Sequence, residues 1–386
     1  MTQRLARIAA LSALCSVVAA CAAEQVQSPS ALPSASAPAA EQREMRLEPI
    51  WRAVVNPRGD SMYRAEEPSG LAAAPSGIIV AAAQSGSIHG FDAWSGDQRW
   101  LFELEEPPTT PPSIASNTVY IGVADGRVVA LDVGKGEELW TAQLPGIVHG
   151  QPVISDGTVY VMTSEEALVA LDQEDGALRW AYRRPRVADL EIKGGCRPSV
   201  IDGDIYIGFS DGALLRIDAQ GKPVWSADLS RGQRRMIDVD SSPIAYRNLI
   251  IAASHSGGLS AVHRDTGRIE WSLDRSGITT PIMANGTLIA TTAQGSVLWV
   301  DPESGRLLQE LEMSRPGLTS PMRFTDETFV VGDASRGIFV MDVNRPKLHA
   351  VFEPSNGSSG QPTFFGDTLY VLTNRGQVYG LRASLR

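Results

Sequence analysis

The chain has 386 residues, a formal net charge of −10 at pH 7 and a hydrophobic content of 43%. That content is typical of a globular protein, and the acidic balance argues against nucleic acid as a partner and against broad contact with anionic lipid headgroups. Three cysteines, one of them in a predicted leader segment, are too few for a disulfide framework.

The first twenty residues have the pattern of a signal peptide. Arg4 and Arg7 supply positive charge without any acid, an apolar run at residues 8–20 is too short to span a bilayer, and a Val-Ala-Ala-Cys sequence ends at Cys21. Those last four residues resemble the lipobox of bacterial lipoproteins, which implies that Cys21 is lipidated after residues 1–20 are removed. The alternative is an ordinary signal peptide that is cleaved nearby and leaves Cys21 unmodified.

Residues 21–46 lie between the predicted leader and the first repeat. They are rich in Ala, Ser, Pro, Gln and Glu and contain few side chains that a core could bury, so we predict a flexible tether behind the lipidated cysteine. Ala22 takes the place of the Asp that keeps lipoproteins of enteric bacteria at the inner membrane. This resemblance implies an outer-membrane location, with the protein lipid-anchored and facing the periplasm.

A repeated unit begins at about residue 47 and continues to residue 386. Its clearest copy has Asp172 at the end of a strand, Gly176 in the following turn and Trp180 in the next strand. The tryptophans of the unit are Trp51, Trp100, Trp140, Trp180, Trp225 and Trp271. A spacing of roughly 40 to 46 residues is the period of four-stranded propeller blades.

The residue types within one unit predict its strands and turns. Asp125 and Gly126 supply the chemistry of a tight hairpin turn between antiparallel strands, because glycine adopts positive φ at no steric cost. Asp132 is expected to accept hydrogen bonds from amides of the following turn. Trp140 is expected to fill the space between neighbouring blades with a large apolar ring.

The number of units predicts the architecture. Six tryptophan positions are followed by two degraded ones, at Gln309 and Phe352, and eight sets of three preceding strands can be counted. Trp51 belongs to an outer strand with no blade before it, whereas the last unit, from Pro362 to Leu385, has no outer strand after it. We therefore predict an all-β, eight-bladed β-propeller in which the N-terminal strand completes the last blade and removes the free sheet edges.

The sequence contains no recognisable catalytic, metal-binding or cofactor-binding motif. Its five histidines lie in different units without metal-ligand spacing, and no phosphate-binding loop, dinucleotide fingerprint or nucleophile elbow is present. Cys15 leaves with the predicted leader and Cys21 is the lipidation site, so Cys196 is alone in the repeat region, and we predict that it is a small buried residue. We expect neither catalysis nor a bound cofactor or metal.

Two longer connections interrupt the repeat, and both come just before the Pro that opens the next unit. The first contains Leu190 and Ile192, which alternate with charged residues, followed by Lys193; the second contains Asp238 and Asp240 in an Asp-Val-Asp sequence. Because consecutive blades are neighbours, the two connections are predicted to lie side by side on one face of the ring. The alternative for both is a solvated turn without a binding function, in which the aspartates bond to loop amides.

The repeat resembles the tryptophan-docking repeat of quinoprotein alcohol dehydrogenases and of the BamB family, the lipoproteins of the outer-membrane β-barrel assembly machinery. Length, lipobox, tether and repeat number are similar to that family, and the two connections are similar to its Leu-x-Leu-Arg-Gly and Asp-Val-Asp-Thr-Thr-Pro segments. The resemblance implies a non-catalytic scaffold that docks on the periplasmic domains of a BamA-like barrel protein. It also implies a role in delivering and inserting β-barrel proteins, with nascent outer-membrane proteins as further partners.

The resemblance also implies roles for individual residues of the two connections. Leu190 and Ile192 would be apolar anchors and Lys193 the cation of the docking surface, while Asp238 and Asp240 would be its anions. Lys193 stands where the family has Arg, and it therefore lacks the guanidinium fork that binds a carboxylate through two hydrogen bonds.

Two other functions remain open. One is a propeller lipoprotein scaffold with a different envelope partner. The other is a pyrroloquinoline-quinone dehydrogenase, a family whose resemblance would require a vicinal cysteine pair and a calcium-binding set of acids and amides. Because Cys196 is the only cysteine in the repeat region, the vicinal pair is impossible.

Overall fold

The computed structural model describes residues 45–55, 70–185, 196–313, 316–354 and 356–385. Every regular element in those ranges is a β-strand, and the strands form eight four-stranded antiparallel sheets. The predicted all-β, eight-bladed β-propeller is confirmed. The predicted leader, the predicted lipidation site Cys21 and the segment with Leu190, Ile192 and Lys193 lie outside the described residues.

Blades 1 to 4 follow the chain in order, and each is a meander of four strands. Blade 1 contains β2 (Leu71–Ala73), β3 (Ile78–Ala82), β4 (Ser87–Asp92) and β5 (Gln98–Glu103). Blade 2 contains β6 (Ser113–Ala115), β7 (Thr118–Gly122), β8 (Arg127–Asp132) and β9 (Glu138–Gln143). Blade 3 contains β10 (Val148–Ser155), β11 (Thr158–Thr163), β12 (Ala167–Asp172) and β13 (Leu178–Arg183). Blade 4 contains β14 (Ser199–Ile201), β15 (Asp204–Gly208), β16 (Ala213–Ile217) and β17 (Pro223–Asp228).

Blades 5 to 8 continue the same order, and the last of them borrows its outer strand from the N-terminal end. Blade 5 contains β18 (Ile244–Tyr246), β19 (Leu249–Ser254), β20 (Gly258–His263) and β21 (Ile269–Leu273). Blade 6 contains β22 (Ile282–Ala284), β23 (Thr287–Thr291), β24 (Ser296–Val300) and β25 (Leu307–Glu312). Blade 7 contains β26 (Met322–Arg323), β27 (Thr328–Asp333), β28 (Gly337–Asp342) and β29 (Leu348–Phe352). Blade 8 contains β30 (Thr363–Phe365), β31 (Thr368–Leu372), β32 (Gln377–Leu385) and β1 (Met45–Val54).

The pairing of β1 with β32 closes the ring, as the unpaired Trp51 strand predicts. The two strands are antiparallel, with Leu47 opposite Ala383 and Arg52 opposite Tyr379. Leu47 is buried in a cluster with residues of blades 7 and 8. Closure therefore pairs the edge of the last sheet and buries apolar surface at the same joint.

The repeated tryptophans join each blade to the next one. Trp100 is 7% exposed and its indole Nε1 donates to the Val133 carbonyl of blade 2 at 2.8 Å. Equivalent bonds of 2.8 to 3.1 Å run from Trp51 to Ala93, Trp140 to Gln173, Trp180 to Ala219, Trp225 to Arg264 and Trp271 to Pro302. The tryptophans are thus apolar fillers, as predicted, and each also satisfies a backbone carbonyl of the next blade.

The glycine of the repeat is required by the same joint. Gly136 has a φ of +70°, and a Cβ atom there would lie 2.5 Å from the ring of Trp100. The turn therefore needs glycine both for its left-handed backbone and for the close approach of the indole.

The aspartate of the repeat has the predicted turn role. Asp132 Oδ1 accepts from the backbone amides of Gly134 and Lys135, each at 2.9 Å. In blade 3, the side chain of Arg179 bonds to Asp172 at 2.7 Å and holds the pKa of that carboxyl below its ordinary value. These carboxylates are occupied in holding turns.

Blades 6 and 7 depart from the repeat, and one prediction for them is wrong. Gln309 does occupy the outer-strand position, opposite Trp299, whose indole Nε1 donates to the Val343 carbonyl at 2.8 Å. The large ring of blade 6 therefore lies on the third strand, β24, and not on the outer strand, and its indole makes the same hydrogen bond to a carbonyl of the next blade. In blade 7, however, the equivalent position is Ala350 and not Phe352. Ala350 pairs with Val340, and the register shift that comes directly after the tryptophan pair in the other blades comes directly after this pair.

Candidate functional site

The second predicted connection, residues 231–243, lies between β17 and β18 and is anchored on both sides. On one side, the Val239 amide donates to the Phe209 carbonyl of blade 4 at 3.1 Å. On the other side, the His255 amide of blade 5 donates to the Asp238 carbonyl at 2.9 Å. These bonds hold the Asp-Val-Asp sequence between the hairpins of two neighbouring blades.

The two predicted anions lie at different depths in this connection. Asp238 is 5% exposed, so protein encloses most of its side chain. Asp240 is half-buried, and its Oδ2 lies 3.8 Å from Nδ1 of His255. That carboxylate raises the pKa of His255 above its ordinary value. His255 is a site residue that sequence analysis missed, because nothing in its own repeat connects it with an aspartate of the preceding blade's connection.

The other carboxylate oxygen of Asp240 has an unusual environment. Oδ1 is buried and, within the part of the chain that the structure describes, accepts no hydrogen bond. Leaving a buried acceptor unpaired costs about 1–3 kcal/mol, and more when the group is charged. The described residues therefore supply no donor for Oδ1, and the part of this side chain that a partner could reach is the 23% of its surface that stays exposed.

A basic rim lies beside the two aspartates. Arg231, Arg234, Arg235 and Met236 are all exposed, and the apolar side chain of Met236 is 52% exposed. Arg231 and Met236 have positive φ angles of 53° and 52°, which turn the chain sharply at both ends of this stretch. The connection thus combines acidic, basic and apolar groups within a few residues, as protein interfaces do.

The described residues on either side of the first predicted connection lie next to this site. Just before it, Arg184 bonds to Asp211 of blade 4 at 2.5 Å and lies over the Phe209 ring. Just after it, the Cys196 thiol donates to the Ser241 carbonyl at 3.3 Å. Both ends of the segment that carries the predicted apolar anchors are therefore in contact with the surroundings of the Asp-Val-Asp sequence.

Cys196 is buried, as predicted, and it has a defined structural role. The residue is 4% exposed, and its Sγ accepts a hydrogen bond from the Gly208 amide at 3.2 Å. Burial raises the pKa of the thiol to about 12. The group is therefore protonated at neutral pH and is a poor nucleophile.

The repeat contains a polar position that sequence analysis missed. Two residues before the Pro that opens a unit, a small side chain accepts a hydrogen bond from the amide of the second strand. Thr110 bonds to Gly122 at 2.9 Å, Ser241 to Ala253 at 2.6 Å and Thr319 to Gly332 at 2.8 Å, and Cys196 takes the same place in blade 4. The pattern of Thr, Ser or Cys, any residue, then Pro is the signal that could have identified it.

The described residues offer no group of side chains that matches a metal-binding arrangement. They contain no cluster of three or more His, Cys, Asp or Glu side chains that could hold a metal ion. His89, the most buried of the five histidines, bonds to Ser87 and Gln98 within its own blade. In the same ranges no helix is long and apolar enough to cross a membrane.

Comparison with known families gives a match over most of the propeller. The family model described as "Outer membrane protein assembly factor BamB" matches residues 48–143 and 84–311, which together cover more than half of the chain. A curated relative, outer membrane protein assembly factor BamB of Legionella pneumophila (strain Paris), is 26% identical over 203 residues, or 50% of this chain and 52% of the relative. The chain thus spans about half the length of the curated relatives it matches.

Comparison with solved structures concerns the fold. The crystal structure of BamB from Moraxella catarrhalis matches with a TM-score of 0.73 and 22% identity, over 87% of this chain and 99% of that one. Quinohemoprotein alcohol dehydrogenase from Comamonas testosteroni matches with a TM-score of 0.68 and 14% identity, over 87% of this chain and 76% of that one. At these identities the likeness shows the propeller fold that both proteins share with this chain.

Proposed function

Since the chain belongs to the family of outer membrane protein assembly factor BamB, we propose that it is a non-catalytic scaffold of the outer-membrane β-barrel assembly machinery. In this role it docks on the periplasmic domains of a BamA-like barrel protein and aids the delivery and insertion of β-barrel outer-membrane proteins. Lipidation at Cys21 holds it at the periplasmic side of the outer membrane, and the tether of residues 22–46 supplies reach from the membrane surface.

The observation that carries the docking proposal is the carboxylate of Asp240, whose side chain keeps 23% of its surface exposed beside the basic rim. A partly exposed carboxylate gains most from a cationic donor on a partner, because charge-assisted hydrogen bonds are about twice as strong as neutral ones. The loop that holds Asp240 is fixed by backbone bonds to blades 4 and 5. A partner would therefore bind a preorganised acceptor and lose little free energy in ordering it.

Leu190, Ile192 and Lys193 are proposed as the second half of the docking surface. The support for this is the contact of Cys196 with Ser241, which brings the end of their segment to the residue after Asp240. Leu190 and Ile192 would bury apolar surface in the partner, and Lys193 would pair with one of its carboxylates. Asp238, at 5% exposure, would contribute its negative charge more than direct contact area.

Nascent barrel proteins are a second class of partner in this proposal. All eight outer strands carry an aliphatic side chain that is 39% to 64% exposed, namely Ile50, Leu101, Leu139, Leu178, Val224, Ile269, Leu308 and Leu348. An outer strand with an open edge and exposed aliphatic residues is suited to pair with an extended client segment. The fold alone does not distinguish a scaffold from a dehydrogenase, and membership of a family named for assembly is the reason for preferring the scaffold.

The docking proposal can be tested by affinity capture from gently solubilised native membranes. We expect the wild-type protein to recover a BamA-like barrel protein and Asp240→Lys to lose it, because a lysine would place like charge against the partner's cation. Asp326→Lys is the matched control: Asp326 is 91% exposed, lies in blade 7 away from this connection and receives the same change of charge. Equal capture by Asp240→Lys and wild type would refute the site. Recovery of other envelope proteins without a barrel-assembly component would favour a scaffold with a different partner.

A further inference from the structure

The basic rim is a compact positive patch on an acidic chain. Residues 231–236 are all exposed and contain three arginines and no acid, whereas the whole chain has a net charge of −10. Arg231 lies 3.7 Å from Asp274, whose side chain is 86% exposed, and an ion pair so open to water contributes little. Within the described chain neither Arg234 nor Arg235 forms an ion pair, so two exposed guanidinium groups lack a counter-charge.

The backbone that carries these side chains is bound along the second hairpin of blade 5. Ser256 donates from its hydroxyl to the Arg235 carbonyl and from its amide to the Met236 carbonyl, both at 3.0 Å. The Ser254 hydroxyl donates to the next carbonyl, that of Ile237, at 2.7 Å. Three consecutive carbonyls are thus held by the neighbouring blade. A partner that binds the rim would therefore lose little free energy in ordering its backbone.

Met236 is the apolar element of the rim, and its backbone conformation is unusual. Its φ is 52°, and among the described non-glycine residues with positive φ it is the only apolar one. Its side chain is 52% exposed. Backbone strain of this kind is concentrated at functional sites, where the surrounding structure imposes it. An exposed methionine also adapts to irregular apolar surfaces, which makes it suited to a protein interface.

The order of groups along the connection specifies the chemistry of a partner. The cations Arg234 and Arg235 are followed by the apolar Met236 and then by the anion Asp240. A complementary surface has carboxylates, an apolar contact and a cation in the same order. Guanidinium groups bind carboxylates through two parallel N–H bonds, and arginine is enriched at protein interfaces for that reason.

An anionic membrane would also attract arginines, but the topology of the blades favours a protein. In a four-stranded meander, the connection that leaves the outer strand lies on the face opposite to the turn between the third and outer strands. The rim belongs to the connection between β17 and β18. Met45, which follows the predicted tether, begins the outer strand β1 and pairs with Leu385 at the end of the third strand β32. Met45 therefore lies on the face away from the rim.

We propose that Arg234, Arg235 and Met236 recognise an acidic stretch on the partner protein, in which carboxylates lie beside an apolar group. This inference rests on the proposed docking function and adds the chemistry of the partner's surface to it. The two positive charges raise the rate at which an acidic surface associates. The guanidinium forks slow its dissociation, and Asp240 sets the register because a carboxylate opposite it would be repelled.

Surface plasmon resonance with the purified BamA-like barrel protein tests the role of the two arginines. Arg234→Glu combined with Arg235→Glu should bind at least about tenfold more weakly, since a hydrogen bond to a charged group contributes about that much. Most of this loss should be in the association rate, and the dependence of that rate on salt should disappear. Arg234→Lys combined with Arg235→Lys should keep the association rate and dissociate faster, because lysine keeps the charge and lacks the fork.

A matched control separates the rim from general charge effects. Arg306→Glu combined with Arg375→Glu changes the net charge by the same amount at two exposed arginines of blades 6 and 8, and it should bind like the wild type. Melting curves verify that all variants are folded. A photoreactive benzoylphenylalanine in place of Met236 should crosslink to a segment of the barrel protein that contains several Asp or Glu residues.

The outcomes distinguish this inference from the docking proposal. Wild-type affinity in the Arg234 and Arg235 charge reversal, or an equal loss in the control, would overturn the role of the rim. A loss of binding in Asp240→Lys would then leave the docking proposal standing. If the wild-type protein does not bind the barrel protein, both are wrong. Phosphatidylglycerol vesicles that bind the wild type and not the charge reversal, with barrel-protein affinity unchanged, would assign the rim to the membrane.

Discussion

The indole of Trp51 donates a hydrogen bond to the Ala93 carbonyl at 2.8 Å, and this bond joins the last blade to the first one. The Tyr370 hydroxyl donates to the same carbonyl at 3.0 Å. One carbonyl of blade 1 is thus held by two side chains of blade 8, one from each end of the chain. The interface between blades 8 and 1 therefore has the same indole-to-carbonyl hydrogen bond as the other tryptophan interfaces, and the Tyr370 hydroxyl is a second donor to that carbonyl.

Replacing Trp51 with alanine should therefore destabilise the whole ring. We expect a loss of about 3 kcal/mol in the free energy of unfolding, since large aromatic residues in cores cost about 3–5 kcal/mol when truncated and Trp51 is only partly buried. Urea unfolding followed by circular dichroism would measure it. Trp94→Ala is the control: Trp94 is 65% exposed, and its loss should cost about 1 kcal/mol or less. Equal losses in the two variants would show that closure does not depend on the Trp51 contact.

The glycine that faces each docked indole gives a second prediction. Gly136→Ala should cost about 2–3 kcal/mol, because the new methyl would lie 2.5 Å from the ring of Trp100 in a backbone with φ of +70°. Gly203→Ala provides the comparison, since Gly203 has a φ of +83° and a methyl group added there would meet no heavy atom within 4 Å. That variant should lose only about 1 kcal/mol, from backbone strain. The difference between the two melting temperatures isolates the contact with the indole, and identical values would argue against it.

Most of the fold could be predicted from the spacing of the repeat residues, whereas the details of blades 6 and 7 could not. The Asp, Gly and Trp positions predict eight blades and the closing strand, because each residue type has one physical role in the turn or the joint. In blade 7 the turn after Asp342 contains no glycine and the large aromatic ring of the outer strand is Phe352, whereas the register of β28 with β29 selects Ala350. In blade 6 the tryptophan lies on the other strand of the pair, at Trp299, a change that the pattern of the outer strand alone does not show.

The sequence predicts where the candidate site lies, but it does not predict how deeply its residues are buried. The Asp-Val-Asp sequence identified the connection, and the bonds of Val239 and Asp238 to neighbouring hairpins show why it is rigid. Sequence could not indicate that Asp238 is enclosed or that Asp240 meets His255, because both facts depend on the packing of blade 5 against the connection.

The contact of His255 with Asp240 predicts a pH dependence of stability. The carboxylate raises the pKa of His255 above its ordinary value of 6.5, so the folded state binds the proton more tightly than the unfolded state does. The stabilisation is fully present below the unfolded pKa and is lost as the pH rises through the folded one. The difference in unfolding free energy between wild type and Asp240→Asn should therefore be larger at about pH 6 than at about pH 9. His255→Gln should remove that pH dependence, and its persistence in this variant would assign it to another group.

The buried thiol of Cys196 gives the last prediction, because the other blades show which side chains can replace it. Thr110 and Ser241 make the same bond to a strand amide with a hydroxyl. Cys196→Ser should therefore keep the bond to Gly208 and change the unfolding free energy by about 1 kcal/mol or less. Cys196→Ala should cost about 1–3 kcal/mol, since it leaves the buried Gly208 amide without an acceptor. Urea unfolding of both variants measures the difference, and an alanine variant as stable as the serine one would mean that the thiol contributes only volume.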